Sequence, residues 1–248
     1  MQNIFNNQGM LTAARYAFSP NKLQYCGGDS NSNLFEYVSQ NQQDKGLEEI
    51  LAEFQTMYSY LRLIADSNKI ADSFDSRVSE AYWIGNDLLN NISMNNFYNY
   101  LIDKQELKKK FKMRVAEKVI GKIPVGAKPH HSFHVLNLPK RTGYYPVEHT
   151  LETINECLIL PAKVVKIKQG KLEVKFRPLI LKNNKFVFGN LENKDIYFEF
   201  NNKKFVKNIK IGDFVSMHWS WACDKLSDLQ VMNLNRWNGY SVGLANID

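Results

Sequence analysis

The feature that most constrains this chain is a change of hydrophobic period near residue 150. Before it, apolar residues recur at the three- and four-residue spacing of amphipathic helices. Leu47, Ile50, Leu51, Phe54, Met57, Tyr58, Leu61 and Ile64 form one stripe across residues 46–64. A second helix is expected after Asp72 or Asp75, either of which can cap it, through Val78, Ala81, Tyr82, Leu88 and Ile92. A third follows Ser93 through Phe97, Tyr100 and Leu101, and a fourth carries Leu107, Phe111, Val115 and Val119 with its lysines outward. Residues 121–140 contain Pro124, Gly126, Pro129 and Pro139 and read as loop or extended chain. Beyond residue 150 the apolar runs are short and rich in β-branched residues. Runs 158–168 and 171–176 flank Gln169-Gly170, a hairpin signal, and 186–188, 196–200, 205–211 and 214–219 continue the pattern. A last helix over 227–240 begins after Asp224 or Ser227. Helices followed by a series of strands predict an α+β protein of two domains, a helical one over 1–150 and a small strand-rich one over 151–248.

At 248 residues, with 15 Phe, 12 Tyr and 4 Trp, the chain has ample material for a core, which excludes general disorder. No apolar run approaches the ~20 residues of a membrane-spanning helix. The first ten residues are rich in Asn and Gln and do not read as a secretory signal. Three widely spaced cysteines, Cys26, Cys157 and Cys223, do not make a disulfide framework and predict reduced thiols in a cytoplasmic protein. The net charge of +7 is uneven. Residues 1–103 carry 6 basic against 12 acidic side chains, and residues 104–122 carry 8 against 2. A basic C-terminal half suits an acidic partner or a lysine-rich solvated surface. Nucleic acid is disfavoured, because no strand alternates basic and aromatic residues.

The most specific motif is Cys157-Leu-Ile-Leu-Pro-Ala-Lys-Val-Val165. It resembles the opening Met-Cys-Leu-x-Ile-Pro-Gly-Lys-Val-Val of the small [NiFe]-hydrogenase maturation chaperones of the HypC/HupF/HoxL family. The likeness resumes at Lys210-Ile-Gly-Asp-Phe-Val-Ser-Met-His218 and continues through Ala222, Asp224 and Asp228, similar to the start of that family's C-terminal helix. It covers about residues 156–240. The resemblance implies a small HypC-like (OB-like) β-barrel with a C-terminal helix after the helical domain. It also implies an accessory chaperone that handles the Fe(CN)2CO unit of iron through Cys157, with His218 assisting. The implied partners are a HypD-like scaffold and the hydrogenase large-subunit precursor. The chain departs from the family in placing the cysteine far from its N-terminus, in Ala162 for the glycine, and in Trp219 and Trp221 after the histidine. The chemistry stands on its own terms, since a thiolate is a good ligand for soft low-spin iron. Without the resemblance, Cys157 reads as a small hydrophobe on a buried strand.

Further words lie in the first half: Tyr16-Ala-Phe-Ser-Pro20, Tyr25-Cys26-Gly-Gly-Asp29, the stretch from Asp75 to Asn86 with Glu80 and Trp83, and Pro129-His130-His131-Ser-Phe-His134. With the second half they resemble an uncharacterised bacterial family associated with hydrogenase genes. His130 and His134 share a face on either a helix or a strand, so two imidazoles there are candidate ligands for a metal of unspecified identity. Cys26 in its glycine turn is a candidate nucleophile with His131 as base, and Glu80 could line a polar cleft. These residues define the alternative, a thiol- or metal-dependent enzyme with its site in the helical half. The chain has no phosphate-binding glycine loop, no Gly-x-Ser-x-Gly and no zinc-finger spacing.

Overall fold

The computed structural model describes residues 8–104, 106, 109, 112–138 and 148–247. Helices come first: α1 (Gly9–Lys22), α2 (Asn31–Gln40), α3 (Lys45–Ala52), α4 (Gln55–Ser67), α5 (Ser76–Trp83), α6 (Met94–Asn99), α7 (Met113–Ile120), α8 (His131–Asn137) and α9 (Leu151–Cys157). The stripe over 46–64 is therefore two helices, broken at Glu53 and Phe54. Asp75 caps α5 by accepting from the Arg77 amide, and Ser93 caps α6 by accepting from Asn96. Of the fourth expected helix, Leu107 and Phe111 lie outside the described residues. Helices α1, α2 and α9 occupy stretches left unassigned from sequence, and α8 lies in one read as loop or extended chain. The side chain of His130 caps α8, and Thr150 and Thr153 form a reciprocal capping box on α9.

The strands are β1 (Leu160–Lys168), β2 (Lys171–Phe176), β3 (Leu179–Lys182), β4 (Lys185–Phe188), β5 (Glu192–Tyr197), β6 (Glu199–Phe200), β7 (Lys203–Lys204), β8 (Phe214–His218) and β9 (Trp221–Leu226). Residues 205–211, expected as strand, are irregular. The segment from Ala222, read by resemblance as the start of the last helix, is β9. That helix, α10 (Asp228–Ala245), starts one residue after Ser227, which caps it with Gln230.

The expected small HypC-like (OB-like) β-barrel needs correction. The strands run β1-β2-β5-β9-β8 and return to β1, with β1–β8 and β8–β9 as multi-residue antiparallel ladders. The β5–β9 seam, however, is a single parallel pair, Tyr197 with Trp221. Hairpins β3–β4 and β6–β7 stand outside the ring. The seam is sealed by side chains from the helices more than by a ladder. Phe18 of α1 packs against Phe205 and Trp221 with ring centroids 4.6 and 5.2 Å apart, and Phe35 of α2 lies 5.2 Å from Phe200. Aromatic pairs of this kind contribute about 0.5–1.5 kcal/mol each beyond their burial. Apolar residues of helices and strands accordingly merge into one core, from Leu11 and Tyr16 through Leu61, Phe133 and Leu160 to Val215 and Leu234.

α10 locks this arrangement from the far side. It packs on α8 and β1, and Asn238 donates to the Ile159 carbonyl at 2.7 Å. Its Trp237 lies directly over Gly85, whose φ of +94° lets the chain leave α5. No described helix is long and apolar enough to cross a membrane.

Candidate metal centre

Three segments far apart in sequence converge where α1, α8, α9 and the β8–β9 turn meet. Pro20 sits inside α1 and has no N–H, so the Tyr16 carbonyl four residues earlier lacks its usual helical donor. That carbonyl accepts from His218 Nδ1 at 2.8 Å instead. A nitrogen facing a carbonyl carries its hydrogen, so the lone pair of His218 is on Nε2. The Tyr16 hydroxyl reaches Ser216 Oγ at 2.7 Å and ties α1 to β8 a second time.

The turn after His218 is strained. Trp219 and Ser220 have φ of 48° and 60°, the left-handed region at both central positions of a two-residue hairpin. Two other tight hairpins, β3–β4 and β6–β7, meet this demand with Asn183-Asn184 and Asn201-Asn202, which tolerate it better. A tryptophan there persists because its surroundings hold it. Ser19 donates to the Trp219 carbonyl at 3.0 Å, and the Trp219 amide donates to the Glu156 carbonyl at 2.7 Å. Ser220 Oγ donates to the Glu156 carboxylate at 2.8 Å, and the Tyr25 ring packs 5.0 Å from Trp219.

Cys157 is the last residue of α9, immediately after Glu156, so the clamp on the turn also fixes the thiol. Its carbonyl accepts from His131 Nε2 at 3.0 Å, which leaves the His131 lone pair on Nδ1, 3.2 Å from the Tyr82 hydroxyl. His131, Cys157 and His218 each offer one ligand atom, and these three atoms lie within 4.8 Å of one another. All three residues are buried, at 7%, 6% and 1% exposure. Ligands 2.0–2.3 Å from a tetrahedral zinc-like ion stand roughly 3.5 Å apart, so closure onto an ion requires movements of about 1 Å or less per side chain. Each imidazole donates one ring N–H to a main-chain carbonyl, His131 to Cys157 and His218 to Tyr16, the outer-sphere arrangement that orients metal-binding histidines.

Aromatic rings wall the cluster. The two imidazoles stand edge to face, 5.3 Å apart, with Trp83 4.7 Å from His131 and 6.0 Å from His218. Tyr16 stacks on Trp83 at 5.0 Å. Burial holds the Tyr16 phenol well above its ordinary pKa, with the Asp224 carboxylate adding to the effect. Burial raises Tyr82 likewise, helped by Tyr100, Cys26 and Cys157. Both phenols therefore stay protonated at neutral pH and act as hydrogen-bond donors.

A cavity of about 50 Å³ adjoins the cluster, with Cys157, His131 and His218 in its wall beside Phe54, Met57 and Leu138. At ~10–15 Å³ per water-sized centre it holds a few waters or one small molecule. Every described lining residue is uncharged or one of His131, His134 and His218, with no carboxylate, lysine or arginine among them. Gly27 closes the rim. Its φ of +76° and its contact with the Phe54 ring leave no room for a side chain, which explains the glycine.

The site thus joins residues from both sequence-based readings. Cys157 and His218, carried over by resemblance, meet His131 from the alternative. Cys26 and His134 line the same cavity, and the Tyr60 hydroxyl lies 3.4 Å from His134 Nδ1. The Cys26 loop is pinned by Asn21, whose amide donates to the carbonyls of Cys26 and Gly28. His130 and His134 do not come together as a ligand pair. The ring of His130 instead stacks on Trp237, 6.1 Å away, and its Nδ1 accepts from the Ser132 amide. Burial, with His131 beside it, pushes the His130 pKa down to about 3. Glu80 also lies elsewhere, hydrogen-bonded to Asn86 and Gln230 in a surface cleft with Arg15 and Asp224. Cys223 is buried in β9, where burial and Asp224 push its thiol pKa far up, leaving it an inert thiol. Tyr16 and Trp83 stand in the sequence only as parts of longer words, and nothing local marks them or Tyr82 as site residues. The proline four residues after Tyr16 was the available signal, since it forces that carbonyl to find a partner outside the helix.

Over residues 5–247 the chain matches DUF6390, a family of unknown function, and belongs to that family. Comparison with curated proteins and with solved structures finds no match.

Proposed function

We propose that this protein is a metal-dependent enzyme whose centre is held by His131, Cys157 and His218 and whose substrate is a small uncharged molecule admitted to the adjoining cavity. The observation that carries this reading is the convergence of the three ligand atoms within 4.8 Å, buried, at a cavity wall. Three protein ligands beside a cavity match the pattern of catalytic sites, which keep one position open, better than that of closed structural sites. Two imidazoles and a thiolate favour zinc, copper, iron or nickel over magnesium or calcium, which take oxygen ligands. A metal here would supply a Lewis acid or a redox centre at the cavity wall. The protein's own contribution is to orient both imidazoles through the carbonyls of Tyr16 and Cys157 and to exclude water with Trp83, Phe54 and Met57.

A second reading keeps the iron unit as cargo, because Cys157 and His218, the pair implied by the chaperone resemblance, are both in the cluster. Elemental analysis and infrared spectroscopy on anaerobically purified protein separate the two. A stoichiometric transition metal without bands of bound CN and CO, lost in His131→Ala, supports the enzyme. Iron with those bands, lost in Cys157→Ala, supports the carrier and refutes the enzyme. Absence of any metal in protein purified from metal-replete cells refutes both.

A further inference from the structure

A second cleft borders α8 at Leu136 and Asn137 and shares no lining residue with the cavity beside the metal centre. Its volume is about 380 Å³, and it is lined by Arg114, Lys118, Lys122, His149 and an apolar floor that includes Val119, Leu136 and Phe186. Arg114, Lys118 and Lys122 follow one another at four-residue intervals, which places them in one row along α7 and its C-terminal turn. Like charges at that spacing repel, so a folded chain that gathers them without a counter-charge spends stability on the arrangement. Among the described residues no carboxylate lines the cleft, and none of the three cations has a carboxylate partner.

Lys122 is the informative member. Only 5% of it is exposed, and its amine donates to a neutral oxygen, Asn137 Oδ1, at 2.7 Å. Burial, with Lys118 nearby, lowers its pKa to about 8, so at neutral pH most of the population is still charged. A buried ammonium held by one amide oxygen is costly unless an anion completes its shell. Arg114 and Lys118 are exposed at the mouth, and Lys122 lies at the base beside apolar side chains.

We infer that this cleft binds a small phosphate monoester, its dianionic head between Arg114, Lys118 and Lys122 and its apolar part on Val119, Leu136 and Phe186. Three cations match a charge of about −2 better than that of a carboxylate, and arginine with lysine is a common phosphate-binding combination. The inference does not depend on the metal centre.

Isothermal titration calorimetry with hexyl phosphate, hexanol, heptanoate and inorganic phosphate on the full chain tests it. Hexyl phosphate is expected to bind, more tightly than heptanoate or inorganic phosphate, with no measurable binding of hexanol. The double variant Arg114→Ala/Lys118→Ala alters only exposed side chains, and its folding is checked by circular dichroism. It should weaken hexyl phosphate binding by about tenfold or more, as expected for lost charge-assisted hydrogen bonds. Lys122→Met should weaken it at least as much. Equal binding of hexanol and hexyl phosphate, heptanoate binding as tightly as the phosphate, or affinity unchanged in both variants would overturn the assignment. So would absence of hexyl phosphate binding to the wild type.

Discussion

Replacing Gly85 by alanine probes how the metal centre is held in place. Gly85 lies two residues after Trp83, the ring that packs on both imidazoles, and Trp237 of the C-terminal helix sits over its α-carbon. Two costs follow. At φ of +94° an alanine is in a region L-residues avoid, which costs about 1–2 kcal/mol. The new methyl would also lie inside the contact distance of Trp237 Cδ1 and Nε1, and overpacking of this kind costs about 1–3 kcal/mol. Together these give a destabilisation of roughly 2–5 kcal/mol. For a chain of this size each kcal/mol moves the melting temperature by about 2–4 °C, so a fall of roughly 4–20 °C is expected. Urea denaturation followed by circular dichroism reads the free energy directly. In the background of Trp237→Ala the steric part should vanish, leaving only the backbone cost, with a coupling of about 1–3 kcal/mol between the two sites. A Gly85→Ala protein within about 0.5 kcal/mol of wild type would refute the claim that the helix is locked onto the chain below the site.

Pro20→Ala should act on the metal rather than on the fold. The new amide can bond the Tyr16 carbonyl within α1 and compete with His218 Nδ1, so metal affinity should drop by about 10- to 100-fold, as for other outer-sphere losses, with thermal stability of the metal-free protein unchanged or raised. Metal titration and a melting curve on the same sample check both halves. Lys122 gives a pH effect with a definite sign. Its folded pKa of about 8 lies below the ordinary value, so between about pH 8 and 10.5 the unfolded chain binds more protons than the folded one. Stability from this group therefore rises with pH across that window, and below it the charged amine is a constant cost of order 1–3 kcal/mol. The difference in unfolding free energy between Lys122→Met and wild type, measured at pH 7 and pH 10, should shrink at the higher pH. A difference that does not change with pH would remove the buried charge from the account.

Much of the architecture was legible from period alone. The stripe from Leu47 to Ile64 does pack on the core, and Asp75, Ser93 and Ser227 do cap the helices that follow them. What pattern could not supply was the break at Phe54, whose ring lies against Gly27 in the cavity wall. Helix α8 was hidden by Pro124, Gly126 and Pro129, which end a loop just before a short helix that caps itself with a histidine. The loose β5–β9 seam was hidden because it depends on Phe18 and Phe35, residues about 200 positions away in sequence. The candidate site divided in the same way. Cys157 and His218 carried a sequence signal through their flanking words, and His131 carried one through its neighbours. Their convergence is set by long-range contacts, the Tyr16 carbonyl on His218 and the Cys157 carbonyl on His131. No local spacing encodes those contacts, which is why His130 and His134, spaced like ligands, were paired instead.

The most direct test of the metal centre is a cobalt(II) titration of metal-free protein under reducing conditions, followed by absorption spectroscopy. One equivalent should bind, with a thiolate-to-metal charge-transfer band and the intense visible bands of a low-coordinate site. Cys157→Ser should abolish the charge-transfer band while leaving weaker binding, and His131→Ala and His218→Ala should each reduce affinity by about tenfold or more. Absence of saturable binding, or a spectrum and affinity unchanged in all three variants, would contradict a centre built from these residues.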